Sequence, residues 1–160
     1  MKIILEGCEG VGKTTLAQKF VEKYKLDYVH ITNKDPNDYS FYKETLRKED
    51  VVYDRHFLGE MIYPKIYNRK GNLNIRQLKK LLKFARKNKV HILILTTDIE
   101  IVQQRVKERN KYKPEFITTK LTEIHHEFFN LGVKYGIYLV DTNKMPFDYI
   151  CEVIENEYDE

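Results

Sequence analysis

The 160-residue chain holds only two cysteines, Cys8 and Cys151, and that scarcity excludes a disulfide framework. No Cys/His spacing of the zinc-binding kind occurs. No apolar run approaches the length needed to cross a bilayer, which predicts no membrane partner. The first residues read as a charged strand rather than a basic segment followed by an apolar core, so the expectation is a soluble, cytoplasmic protein that is not exported. Repeats and low-complexity linkers are also lacking, and the expectation is one domain over residues 1–160. The net charge of +4, from 28 basic and 24 acidic residues, favours phosphate-bearing small molecules without demanding a nucleic-acid polymer.

What is present is an alternation of short apolar runs with helical periodicity, the pattern of a parallel sheet covered on both faces. Strands are predicted at Lys2–Glu6, Asp27–Ile31, Asp50–Asp54, His91–Thr96 and Ile137–Val140. Helices are predicted at 13–24, 56–68, 74–88, 98–109, 115–133 and 147–158, with a short one at 39–47. The fold class that follows is α/β, three layers, α/β/α, around a five-stranded parallel sheet, which a phosphate loop after its first strand would make a P-loop NTPase fold. In the helix Asn72–Lys89, Leu78, Leu81, Leu82 and Ala85 share one face and basic residues surround it, which reads as a solvated face rather than a nucleic-acid patch.

Gly7-Cys8-Glu9-Gly10-Val11-Gly12-Lys13-Thr14-Thr15 fits the pattern G-x-x-x-x-G-K-[ST], with an apolar run before it and an amphipathic helix after it. Glycines at Gly7, Gly10 and Gly12 let the backbone N–H groups, including those of Val11 and Thr15, turn toward phosphate oxygens at a helix N-terminus. Lys13 reaches the β- and γ-phosphates, and the Thr14 hydroxyl ligates Mg²⁺. The cofactors expected are therefore ATP and Mg²⁺. Val51-Val52-Tyr53-Asp54 is a β-rich run ending in a carboxylate, and Asp54 is a candidate for holding the metal through water. Arg55 is a candidate phosphate clamp. The competing reading has Asp54 capping the next helix and Arg55 pairing with Glu60 on the surface.

Arg105 and Arg109 lie four apart on one helix face and lead into Asn110-Lys111-Tyr112-Lys113-Pro114, either a cationic lid over about 109–116 or a plain exposed loop. Asp35-Pro36 follows the second strand, where a carboxylate can face an acceptor hydroxyl. Asn33-Lys34-Asp35 is one residue short of a guanine-reading N-K-x-D signature and follows the wrong strand, so a GTPase is disfavoured. His125 and His126 are adjacent on a helix, point about 100° apart and read as surface residues.

Ile4-Leu5-Glu6-Gly7-Cys8-Glu9-Gly10-Val11-Gly12-Lys13-Thr14-Thr15, Val52-Tyr53-Asp54-Arg55-His56 and Gln104-Arg105-Val106-Lys107-Glu108-Arg109 together resemble the thymidylate kinase family, within the P-loop deoxynucleoside and deoxynucleotide kinases. They look like its phosphate loop, its D-R-[HYF] motif and the helix into its lid. The resemblance implies that Glu9 contacts the 3′-hydroxyl of the acceptor sugar. It implies that Arg55 contacts the acceptor and transferred phosphates, and that Arg109 closes over the donor. Since Gly10 follows Glu9, the catalytic arginine would come from the lid. Asp35-Pro36 looks like the family's Glu-Pro pair, preceded here by Lys34 rather than Arg. The region 36–50 is shorter than the family's acceptor-binding insertion and offers Phe41, Tyr42 and Arg47 in place of its base-reading residues.

The reading is ATP-dependent phosphoryl transfer to a deoxynucleoside monophosphate, dTMP to dTDP, with Lys13, Arg55, Arg105 and Arg109 catalytic and Glu9, Asp35, Phe41, Tyr42 and Arg55 on the acceptor. Partners are small-molecule nucleotides, and a homodimer is left open. The alternatives are a deoxynucleoside kinase such as a thymidine kinase, with Asp35 as base, and a non-catalytic nucleotide sensor or DNA-stimulated ATPase working through the basic helix.

Overall fold

A computed structural model describes residues 1–159; Glu160, the last residue of the expected domain, lies outside the described residues. Five strands, β1 (Lys2–Glu6), β2 (Asp27–His30), β3 (Val51–Asp54), β4 (Val90–Thr96) and β5 (Tyr138–Asp141), form one parallel sheet in the order β2-β3-β1-β4-β5. β1 is central and buried along its whole length, as a strand covered on both faces must be. Helices α1 (Lys13–Tyr24), α2 (Tyr39–Thr45), α4 (Ile75–Lys87), α5 (Ile99–Glu108), α7 (Lys120–Tyr135) and α8 (Phe147–Asn156) make the outer layers, with the shorter α3 (Tyr63–Ile66) and α6 (Pro114–Thr118) between them. The five-stranded parallel α/β/α architecture is the one expected. Among the described residues no helix is long and apolar enough to cross a membrane.

Register places the site. Leu5 pairs with Asp54 and Glu6 with Ile94, so β1 and β3 end side by side where the chain order reverses, the crevice in which open parallel sheets bind ligands. Gly7, at φ 146°, follows at once. A Cβ there would stand 2.8 Å from the Leu95 carbonyl oxygen, so only glycine lets the turn lie this close to β4.

Two expected helices are broken. Residues 56–68 form a 3₁₀ turn, Phe57–Met61, and then the single turn α3. Pro64 has no N–H to continue an α-helical ladder, and Arg55 at φ 72° turns the chain sharply before it. Residues 115–133 divide into α6 and α7 at Thr119 (φ −115°, ψ −73°). There the Thr118 and Thr119 hydroxyls both donate to the Glu115 carbonyl, at 3.2 and 2.7 Å, and compete with the helix ladder.

α7 packs on β5 through Gly132, where an added Cβ would stand 2.5 Å from Leu139 Cδ2 and 3.3 Å from Ile94 Cδ1. Gly132→Val is therefore expected to destabilise the fold by about 1–3 kcal/mol, read as a lower urea midpoint at unchanged m-value. An unchanged or higher midpoint would show that this face has room to spare.

Candidate active site

The loop from Gly7 to Gly12 curls around its own lysine. Lys13 Nζ donates to the Gly7 and Cys8 carbonyls, both at 2.8 Å. Gly10, at φ 81°, presses against α5, with Val106 Cγ2 2.9 Å from where a Cβ would stand. Thr142 Oγ1 ties the Val11 carbonyl to the end of β5 at 2.7 Å. Thr14, in the first turn of α1, donates from its hydroxyl to Asp54 Oδ2 at 2.8 Å, and the same oxygen accepts from the Tyr28 hydroxyl at 2.8 Å. A hydroxyl and a carboxylate oxygen in contact, with no sulfur or imidazole, suit the oxygen chemistry of Mg²⁺.

Glu9 lies inside the loop and meets two cations. Arg55, from the turn after β3, forms an ion pair with Glu9, and Arg109, at the end of α5, places Nη1 3.7 Å from Glu9 Oε2. Arg105, one turn earlier, donates to the Gly10 carbonyl at 3.1 Å. Arg55 therefore pairs with Glu9 and not with Glu60, the partner that a bland surface reading gave it.

Two cavities flank this cluster. One, about 290 Å³, is lined by Gly10, Gly12, Arg105, Arg109, Thr142 and Phe147 among others. The other, about 450 Å³, is lined by Glu6, Glu9, Tyr42, Arg55, His56 and Tyr63, and it runs on to Glu60, Arg69, Tyr112 and Phe116. Arg109 belongs to the first wall and its partner Glu9 to the second, so the ion pair lies where the two cavities meet.

Other expected site residues fall apart from this group. The Asp35 carboxylate accepts from Thr32 N at 2.8 Å and closes its own turn rather than lining the cavity. Phe41 packs edge-on to Tyr42 and does not line the cavity; Arg47 pairs with Glu44 on the surface. Tyr42 does line it, with its hydroxyl donating to Asn37 Oδ1 at 2.7 Å. His125 is not a surface residue. It is half-buried, with Nδ1 3.4 Å from Cys8 Sγ under the loop, because one face of α7 turns inward there; His126 is exposed.

The residues missed by sequence reasoning include Glu6, Glu60, Tyr63, Tyr67 and Arg69 on the larger cavity, and Thr142, Met145 and Phe147 on the smaller. The one available signal was Glu6, a carboxylate closing an otherwise apolar strand.

A family model described as novel STAND NTPase 3 matches residues 2–134. The chain belongs to that NTPase family. Among solved structures it is similar to the YorR protein of Bacillus subtilis in complex with phosphorylated GDP, at TM-score 0.84 and 20% identity, over 100% of this chain and 99% of that one. Shikimate kinase from Acinetobacter baumannii in complex with shikimate follows at TM-score 0.65 and 16% identity, over 99% and 95%. Deoxyadenosine kinase from M. mycoides with bound dATP matches at TM-score 0.59 and 19% identity, over 100% of each chain. No curated protein matches. At these identities the structures show a shared fold alone, and the activity and substrate have to be argued from the site.

Two buried groups dominate its electrostatics. Glu6 is 1% exposed, and burial pushes its carboxyl from the ordinary 4.5 up to about 7, against the opposing pull of the Leu58 N–H, Lys13 and Arg55. Its Oε1 accepts from the backbone N–H groups of His56 and Leu58, at 3.1 and 2.8 Å. Burial pushes His56 down to about 3, so its ring stays neutral. The ring's tautomer follows from its neighbours. The Thr45 hydroxyl donates to the Tyr42 carbonyl at 2.7 Å, so it accepts from His56 Nε2–H at 2.8 Å, and Nδ1 is left as a bare acceptor without a partner among the described residues.

The two shifts act oppositely on stability. Glu6, raised, holds a proton in the fold that the unfolded chain has released, so its contribution is lost as pH climbs from 4.5 to 7. His56, lowered, gives a contribution that is lost as pH falls from 6.5 to 3. Between 4.5 and 6.5 they offset each other. The stability of Glu6→Gln minus that of wild type is expected to grow by up to about 3 kcal/mol from pH 4.5 to 7, measured by urea unfolding. A pH-independent difference would remove the assignment.

Proposed function

We propose that the protein transfers the γ-phosphoryl group of ATP to a nucleoside monophosphate, giving ADP and a nucleoside diphosphate. A deoxynucleotide is the acceptor class, and dTMP is the acceptor named by the family resemblance. The observation that carries the reading is the meeting of two cavities at one phosphate loop, with Glu9, Arg55 and Arg109 at the junction. A site built only to hydrolyse a nucleotide needs no second cavity. The likeness to YorR with phosphorylated GDP, and to deoxyadenosine kinase with dATP, supports a nucleotide as the ligand.

In this reading the smaller cavity takes the donor nucleoside and the larger one the acceptor. Phosphoryl transfer has a loose transition state whose charge spreads over the phosphoryl oxygens, so the protein's task is to align the two phosphates and neutralise them. Lys13 leaves its carbonyl partners for the β/γ-phosphates; Arg55 and Arg109 leave Glu9 for the acceptor and transferred phosphates. Glu9, freed, accepts from the acceptor's 3′-hydroxyl. Arg105 keeps the loop against α5, and residues 109–116 serve as the lid. Thr14 and Asp54 would hold Mg²⁺, which supplies charge neutralisation at the triphosphate.

One observation favours a second reading. A carboxyl with a pKa near 7 in the acceptor cavity is suited to take a proton from a neutral hydroxyl, which is what a deoxynucleoside kinase requires, and Glu6 fits that role better than the turn-bound Asp35.

Lys13→Ala is expected to lower turnover by roughly 10²–10³ with the fold intact, since one charge that strengthens in the transition state is lost. The assay is ATP-dependent phosphorylation of nucleosides and nucleoside monophosphates in parallel. Transfer to thymidine and not to dTMP would decide for the second reading, and undiminished activity in Lys13→Ala would overturn both.

A further inference from the structure

The acceptor cavity ends in a wall that the proposed function leaves unused. Glu60, from the 3₁₀ turn after β3, is half-buried on it and is capped only at long range, with Asn72 N–H 3.5 Å from Oε2. The chain after α3 folds back over this residue. Arg69 N donates to the Pro64 carbonyl at 2.8 Å, and a Cβ on Gly71 would lie 3.5 Å from the Glu60 carbonyl oxygen. This fold-back brings Arg69 to the same rim, where its guanidinium enters no ion pair among the described residues. The Tyr42 phenol, pushed upward first by burial, feels both the Glu60 carboxylate and the Arg69 guanidinium. Flat surfaces line the same cavity: the rings of Tyr63 and Tyr67 lie 6.4 Å apart at 14°, and those of Tyr112 and Phe116 lie 4.5 Å apart at 21°. A carboxylate and a fork of donors beside parallel aromatic rings are the equipment for reading the edge of a planar base.

The four bases differ in what they offer such a pair. Guanine carries two adjacent donors, N1–H and N2–H, for a carboxylate and two acceptors, O6 and N7, for a guanidinium. Cytosine gives the carboxylate one N4–H. Adenine gives one N6–H and faces the guanidinium with isolated ring nitrogens. Thymine has a single N–H between two carbonyls, so a carboxylate at that edge meets two repelling lone pairs. We propose that Glu60 and Arg69 are the specificity-determining residues and that the acceptor is a guanine nucleotide. The proposal rests on the larger cavity being the acceptor site, and it moves the base away from the thymine of the resemblance.

The test compares dGMP, dIMP, dCMP, dAMP and dTMP as acceptors at fixed ATP, together with calorimetric binding of dGMP and dTMP to the unreacted protein. The expected order is dGMP first and dTMP last, separated by about 10–100-fold in kcat/KM and in Kd. dIMP, which lacks only the N2 amino group, is expected to fall below dGMP. Glu60→Gln, which replaces one acceptor oxygen by a donor, should lower the preference for dGMP over dTMP at least about 10-fold, and Arg69→Gln should weaken dGMP more than dTMP. Equal or tighter use of dTMP, or a preference unmoved by both substitutions, would overturn the guanine assignment while leaving monophosphate kinase activity in place. Absence of transfer to any monophosphate would overturn the proposed function instead, and the binding comparison would still decide the base.

Discussion

The Glu6 carboxylate is the constraint on which the rest of the site depends. It closes the central strand, is almost wholly buried at the edge of the larger cavity, and accepts from the backbone N–H groups of His56 and Leu58. A buried carboxylate with two donors on one oxygen is costly to displace, and here it fixes the chain immediately after a left-handed arginine. Arg55 at φ 72° is unfavourable for a side chain of its size, and the conformation persists because both flanks are held. Leu5 accepts from Arg55 N at 2.9 Å on one side, and Glu6 takes the following N–H on the other. That turn aims Arg55 at Glu9 instead of along the outer face of the 3₁₀ turn.

From this anchor the charges around the loop arrange themselves in compensated sets. Lys13 is buried and its pKa is lowered by desolvation, and its ammonium is satisfied by two loop carbonyls. Arg55 and Arg109 share Glu9, and Arg105 rests on Gly10. Cys8, at the heart of the loop, is buried and its thiol is pushed up to about 11, so it serves as packing against His125 and not as a nucleophile.

Much of the architecture was legible because parallel strands buried on both faces write themselves as apolar runs, and because the phosphate loop has a fixed spacing. Strand ends lie within a residue of the expected ones, and the loop, the end of β3 and the end of α5 bring Glu9, Arg55 and Arg109 together. The helix 56–68 was misread because apolar spacing alone does not register Pro64 or a left-handed residue ahead of it. The same irregularity hides one wall of the larger cavity. Of Phe41, Tyr42 and Arg47 in the shortened region 36–50 only Tyr42 lines the larger cavity, whereas Glu60, Tyr63, Tyr67 and Arg69 reach it from the irregular stretch after β3, whose fold-back is set by long-range contacts that leave no periodic trace. His125 was misplaced for a related reason: its helix has Ile124 and Phe128 on the buried face, and one residue's rotation decides whether a histidine between them faces water or the loop.

In the proposed reaction the compensated charges have a consequence for fidelity. An arginine bound to Glu9 is not free to stabilise a phosphoryl group, and it exchanges that carboxylate only for an anion that competes at the same distance. Arg109 lines only the smaller cavity and Arg55 only the larger, so in this reaction the donor triphosphate would meet Arg109 first and the acceptor phosphate Arg55. With one substrate bound, Glu9 keeps the other arginine, and the transition state that would pass the phosphoryl group to water lacks half of its neutralising charge. With both bound, each arginine has a phosphate and Glu9 has a sugar hydroxyl, so every charge of the cluster keeps a partner. In that proposed reaction, one carboxylate placed inside a phosphate loop, unfavourable by itself beside a triphosphate, would couple occupancy of the two cavities and disfavour hydrolysis.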